Sequence, residues 1–125
     1  MKTAATVLLM LIRLSGLILV TLGILFWTGN AGDLIPVHML LGLILVLSLW
    51  ALAFIAARAG APAGQVAVAV AWGLVVPILG VTQDQILVGD AHWLIRILHL
   101  LVGLIAIGMA EGLGARVRRV PAPAV

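Results

Sequence analysis

The sequence predicts an all-α integral membrane protein, a bundle of four transmembrane helices built from two tandem two-helix repeats. Of its 125 residues, 65% are hydrophobic and only 9% are charged, which leaves too few polar groups to cover a soluble domain of this size. The apolar residues form four runs, each near the ~20 residues that a helix needs to cross a bilayer. The phrase HMLLGLI at 38–44 returns as HLLVGLI at 99–105, so the chain repeats itself.

The four predicted spans form a single domain over residues 1–125, with a short basic tail behind the last span. The first span is longer than the apolar part of a signal peptide and no A-x-A site follows it, so we expect it to stay in the membrane. The segments between the spans carry the glycine and polar residues typical of turns. The predicted spans are 4–28, 36–57, 62–82 and 93–113, and the tail is 114–125.

The placement of charges predicts how the chain is oriented. Arg58 lies between the second and third spans, and RVRR at 116–119 follows the fourth. Asp33, Asp84 and Asp90 lie in the other two connections. Because basic loops stay on the cytoplasmic side, we expect a multi-pass protein of a bacterial inner membrane with both termini in the cytoplasm.

Several classes of chemistry are excluded by composition. Cysteine is absent, which rules out disulfides, zinc–thiolate sites and iron–sulfur clusters. The formal net charge of +3 does not indicate a nucleic-acid partner, because the cations flank apolar segments, where they set topology. Three histidines without a suitably placed carboxylate do not form a zinc or di-iron site, and no phosphate-binding loop is present.

The repeated phrase places two histidines in equivalent positions. Aligning the two copies pairs His38 with His99. Each repeat contains two spans, so both copies cross the membrane in the same direction and equivalent residues lie at the same depth. We therefore expect the two histidines to face each other across the bundle.

Two imidazoles that face each other in a helix bundle suit one cofactor especially well. An ionisable side chain inside a span is costly and marks a candidate functional site. Haem iron takes one axial nitrogen from each face of its ring, and bundles hold cofactors between facing helices. We predict that His38 and His99 ligate the iron of one haem b per chain. The alternative is that both are polar residues that hydrogen-bond between helices without a cofactor.

Glycines near the histidines are expected to leave room for the flat haem ring. Gly42 and Gly103 each follow their histidine by one helical turn, on the same face. Upstream, GLILVTLG at 16–23 matches GLVVPILG at 73–80 at both glycines. The glycines of the flanking helices that are expected to serve the same purpose are Gly16, Gly23, Gly73 and Gly80.

Four further ionisable residues in or near the spans are candidates for specific polar contacts. Arg96 lies three residues before His99 on the same face, where it would bind a haem propionate. His92 lies on that face too, as an ordinary interfacial histidine or a second propionate ligand. Arg13 and Glu111 are each expected to snorkel or to pair with an opposite charge.

The pattern resembles membrane b-type cytochromes, and more closely one four-helix half of haem A synthase. Each half of that enzyme carries a histidine on its second and fourth helices, and His38 and His99 match these axial-ligand positions. The resemblance covers essentially the whole chain and implies haem b held in a bundle. It does not imply oxygenation, because Ile35 stands where the catalytic half has a glutamate and the cysteine pair of many bacterial members is missing. A bis-histidine iron also has no open position.

These expectations favour one-electron transfer within the membrane. The haem protein would act as a subunit of a larger membrane complex or as a homodimer, with a quinone or a redox protein as its electron-transfer partner. The alternatives are a cofactor-free structural or assembly subunit and, less favoured, a small four-span transporter. Small exporters of this size need a carboxylate in the first span, and this chain has none there.

Overall fold

Four long helices make up the protein, and the computed structural model describes them over residues 1–119. All four are long and apolar enough to cross a membrane, and the described residues contain no strand. The prediction of an all-α chain with four helices of membrane-spanning length and hydrophobicity is therefore confirmed. Short 3-10 turns at Gly32–Leu34 and Gln83–Gln85 precede the second helix and follow the third. The helices are α1 (Lys2–Trp27), α2 (Ile35–Arg58), α3 (Ala63–Thr82) and α4 (His92–Arg119).

The last helix is longer than the predicted span. α4 continues to Arg119, so residues 114–119, which the sequence assigned to the tail, are helical. Arginine is a good helix former, and the three arginines in the last turn interact favourably with the negative end of the helix dipole. The rest of the predicted tail, 120–125, lies outside the described residues.

A glycine ends α2 and turns the chain back on itself. Gly60 has φ +81°, the left-handed conformation that glycine adopts without steric cost. The Ala61 N–H donates to the Ala56 carbonyl at 2.9 Å, and the Gly60 N–H donates to the Ala57 carbonyl at 3.1 Å. These two bonds close the helix in a Schellman motif, and the short connection makes α3 antiparallel to α2.

Polar cross-links join neighbouring helices. α2 and α4 pack on each other and on both remaining helices, whereas α1 and α3 lie on opposite flanks. The Trp50 indole N–H on α2 donates to the Val70 carbonyl on α3 at 3.1 Å. The Trp72 indole N–H on α3 donates to the Val102 carbonyl on α4 at 3.0 Å. Each bond fixes one helix pair in register.

The tightly packed core lies at one end of the bundle. We call this the basic end, since it holds the N-terminus, the Arg58 turn and the arginines that end α4; the opposite, acidic end holds Asp33, Asp84 and Asp90. Most of the fully buried side chains belong to the basic half or the middle of the helices. The core residues are Ala5, Leu9, Ile12, Leu45, Leu49, Leu52, Ala53, Ala56, Ala69, Ala106, Ala110, Leu113 and Val117.

The acidic half is packed more loosely. Among the described residues, Leu22 and Ile95 are the buried hydrophobic side chains nearest the acidic end. His38 and His99 lie in this half and are only partly exposed. The fully buried aliphatic side chains thus concentrate at the basic end and in the middle of the bundle, where a groove lined by Gly64, Gln65 and Gly112 remains open between α3 and α4, and the two histidines lie in the acidic half.

Candidate functional site

Two helices bring His38 and His99 together in the acidic half of the bundle. His38 is the fourth residue of α2 and His99 is the eighth residue of α4, so each lies near the acidic end of its helix. The centres of the two imidazole rings are 6.2 Å apart and their planes are inclined by 35°. The two histidines thus face each other across the α2–α4 contact, as the repeat predicts.

One nitrogen of each ring lacks a partner. The Nδ1 atoms of His38 and His99 are both buried and make no hydrogen bond with any described residue. Buried polar atoms in native proteins almost always have a partner, so two orphaned nitrogens on facing rings require an explanation. A direct interhelical hydrogen bond does not provide one, because neither Nδ1 atom is engaged.

Each histidine packs against a glycine of the preceding helix. A Cβ atom built on Gly23 would lie 4.0 Å from Cε1 of His38, and one built on Gly80 would lie 3.4 Å from Cε1 of His99. α1 therefore supports the ring on α2, and α3 supports the ring on α4. The absence of a side chain at Gly80 matters more, because its Cβ would already be in close contact.

Open space lies beside Gly42 and Gly103. A Cβ built on either residue would meet no atom within 4 Å. Both glycines are half-buried, one turn from their histidines. The faces of α2 and α4 that carry the histidines are thus free of side chains at these two positions.

Gly16 and Gly73 have a different role from the one expected. A Cβ on Gly16 would collide with the side chain of Ile107, and one on Gly73 would collide with the indole of Trp50. Both glycines let a large side chain of another helix fit against their backbone. The expectation that they leave room for a cofactor is therefore corrected: they are helix-packing residues.

Arg96 and His92 differ in their surroundings. Arg96 is exposed on α4, three residues before His99, and no ion pair joins it to another described residue. Nδ1 of His92 lies 3.2 Å from the carbonyl oxygen of Ile86, and Nε2 lies 3.8 Å from Oδ1 of Asp84. His92 thus ties the α3–α4 connection to the start of α4, and Arg96 remains available to an anion.

One neighbour of the histidines escaped the sequence analysis. The ring of Phe26 meets His38 edge to face, with centres 5.4 Å apart and planes inclined by 61°. The short α1–α2 connection was a usable signal for Phe26, because it forces the last turn of α1 against the first turn of α2.

The donor set restricts what metal chemistry is available. Within residues 1–119, no group of three or more His, Asp or Glu side chains is placed to hold a metal ion. Two imidazoles alone are too few for a structural zinc site, which takes four protein ligands. A metal bound between the two histidines must therefore bring its other ligands with it.

Comparison of the chain with known protein families, curated proteins and solved structures found no match.

Proposed function

We propose that this protein binds one haem b between His38 and His99 and transfers single electrons within the membrane. The observation that carries the proposal is the pair of facing imidazoles, 6.2 Å apart, each with a buried and unpartnered Nδ1. A haem would supply four ring nitrogens to its iron, and His38 and His99 would hold it through their imidazoles. Among the described residues, the site offers two histidine side chains and no third protein ligand, which is the set of protein ligands that such a haem needs.

The spacing of the rings supports the same conclusion. Two imidazoles that bind one metal from opposite sides, each through a bond of about 2 Å, have ring centres roughly 6 Å apart. The observed 6.2 Å agrees with that value. Two hydrogen-bonded rings would engage a nitrogen, and neither buried Nδ1 atom does so.

Equivalent contacts in the two halves support the tandem repeat. His38 packs on Gly23 and His99 packs on Gly80, so the same kind of contact recurs between α1 and α2 and between α3 and α4. A two-fold axis along the membrane normal relates such copies and places their histidines at one depth. This symmetry suits a ligand that is approached in the same way from both faces.

A second pair of contacts follows the same symmetry. Continuing the two alignments without gaps pairs Trp50 with Glu111 and Val70 with Arg13. Trp50 donates to the carbonyl of Val70 between α2 and α3, and Arg13 binds Glu111 between α1 and α4. The two helix contacts that join the halves, α2–α3 and α1–α4, thus carry a polar link at equivalent positions, with different chemistry.

The residues around the pair have complementary roles in this proposal. Gly42 and Gly103 leave space for a flat ring, and Arg96 offers its guanidinium to a propionate carboxylate. The haem, when bound, supplies the one-electron redox chemistry. Phe26 and the helix backbones keep water from the His38 ring, and two histidine ligands leave no position for a substrate.

The cellular setting belongs to the same proposal. The electron partner is a quinone or a redox protein, and the chain works within a larger membrane complex or as a homodimer. The basic end, with the Arg58 turn and the arginines of α4, lies in the cytoplasm of a bacterium, so the histidines lie nearer the outer surface of the inner membrane.

Transport is less well supported than electron transfer. Glu111 is the one acidic residue within the four long helices, and it is bound by Arg13 through two short contacts of 2.6 and 2.8 Å. A carboxylate held in this way is a poor carrier of protons or cations. The cofactor-free alternative in turn gives no partner to the two Nδ1 atoms.

Absorption spectroscopy tests the proposal. The protein purified in mild detergent after expression with added haem precursor should show a low-spin haem b spectrum, with about one haem per chain by pyridine haemochrome assay. His38→Ala or His99→Ala should abolish the low-spin spectrum, and His92→Ala, the matched control, should leave it intact. A colourless wild-type protein would refute haem binding, and loss of the spectrum in His92→Ala alone would refute the ligand assignment.

A further inference from the structure

An ion pair lies on the outer surface of the bundle between α1 and α4. Nε of Arg13 is 2.6 Å from Oε1 of Glu111, and Nη2 of Arg13 is 2.8 Å from Oε2. The guanidinium thus holds the carboxylate in a two-point contact. Both side chains remain open to the surroundings, with exposed fractions of 50% for Arg13 and 36% for Glu111.

This ion pair lies within the predicted first and fourth spans. Arg13 is eleven residues from the start of the helix, which at 1.5 Å per residue is about 16 Å along its axis. The hydrocarbon layer of a bilayer is about 30 Å thick, and Glu111 lies two residues before the end of the predicted fourth span, so the pair lies inside this layer and near its basic boundary. An ion pair open to lipid retains unsatisfied donors and acceptors at high cost, so charged residues in spans normally face protein.

The helix surface next to Glu111 permits another helix to approach closely. Gly108 lies one turn before Glu111 and Ala115 one turn after it, on the same face of α4. A Cβ on Gly108 would meet no atom within 4 Å, so nothing in this chain fills that position. Small residues on either side of a polar one are typical of helix contacts in membranes.

We propose that the face formed by Met10, Arg13 and Leu17 of α1 and Gly108, Glu111 and Ala115 of α4 is the interface of a symmetric dimer of this chain. Arg13 and Glu111 lie at the same depth, because they bind each other. A two-fold axis along the membrane normal therefore brings Arg13 of one copy opposite Glu111 of the other. The two arginines and two glutamates of the dimer then alternate around the axis, and each charge has opposite charges as neighbours within the interface.

A second copy fits this face better than other occupants. The face carries one positive and one negative charge, so it is complementary to itself under two-fold rotation. An unrelated subunit would have to supply its own matched pair of charges, whereas a second copy of this chain supplies one by symmetry. The inference stands independently of haem binding, since none of these residues touches the histidine pair.

An exchange of the two charges tests the proposal. Wild-type protein and the double variant Arg13→Glu with Glu111→Arg both keep an intramolecular ion pair. Each should associate with itself in lipid vesicles, as measured by energy transfer between two labelled populations. Wild-type mixed with the double variant should not associate, because like charges then face each other across the axis. Glu111→Gln alone should weaken association roughly tenfold.

Pairs of spin labels locate the interface. The chain has no cysteine, so one introduced cysteine gives a unique labelling site. Leu17→Cys on the proposed face should give a short distance between copies, and Leu74→Cys, exposed on α3 across the bundle from α1, should give a long one. This measurement also decides the question if the double variant does not fold.

Three outcomes would overturn the proposal. These are a monomeric wild-type protein in vesicles, equal association of the mixed and matched populations, and a short distance at position 74 instead of 17. Haem content is measured in the same samples. A colourless dimer would refute the proposed electron transfer alone, and a haem-containing monomer would refute the dimer alone.

Discussion

At the scale of single residues, the site depends on two imidazoles and on the glycines around them. The repeated phrase was enough to predict that His38 and His99 lie opposite each other. It could not show that the space beside Gly16 and Gly73 is occupied by side chains of other helices. The rotation of each helix about its own axis decides which neighbour a glycine meets. Phe26 was missed because an aromatic residue at the end of a span is ordinarily an interfacial anchor.

Filling the open space one turn from His99 tests the role of the His-x-x-x-Gly spacing that recurs in the repeat. Gly103→Leu should weaken haem binding roughly tenfold, because the new side chain takes space that the ring requires and overpacking costs about 1–3 kcal/mol. Gly64→Leu is the matched control, since its Cβ position is equally open but lies at the basic end. Equal haem content in both variants, titrated by Soret absorbance, would show that the ring does not lie beside Gly103.

At the scale of helices, hydropathy predicted all four elements, because the need to satisfy every backbone group in lipid leaves helix as the available conformation. Their ends were harder to predict. The end of α4 was placed at 113 by the loss of apolar residues, but charged residues continue a helix readily once it leaves the hydrocarbon layer. The glycine turn after α2 was recognisable from RAGAPAG alone.

The glycine that ends α2 gives a prediction about stability. Gly60→Ala should destabilise the folded bundle by about 1 kcal/mol, because φ +81° is strained for alanine. Gly64→Ala, four residues later and inside α3, should be neutral or slightly stabilising, because alanine favours helix. Unfolding of both variants in mixed micelles with increasing denaturing detergent measures the difference. Equal destabilisation would mean that the turn is not the stabilising feature.

At the scale of the whole molecule, the bundle divides into a compact basic half and a looser acidic half. Aliphatic and alanine side chains fill the first. The second holds the histidine pair with few fully buried neighbours, so haem binding should stabilise it most. The sequence showed the four spans but not this division, which depends on how the helices cross.

The orientation of the bundle gives a prediction at the same scale. A cysteine at Val88, in the exposed α3–α4 connection, should react with a membrane-impermeant maleimide added to intact cells. A cysteine at Ala63, exposed at the start of α3, should react only after the membrane is opened. The reverse pattern would place the basic end outside and contradict the assignment of cytoplasmic termini.

The central claim is that His38 and His99 together bind one haem iron, and electron paramagnetic resonance of the oxidised protein tests it most directly. Wild-type protein should give a low-spin ferric signal of the kind produced by two imidazole ligands, accounting for about one iron per chain. His38→Ala and His99→Ala should each lose that signal, and added imidazole should restore it. A low-spin signal that persists unchanged in either variant, or no iron signal in wild type, would contradict the account.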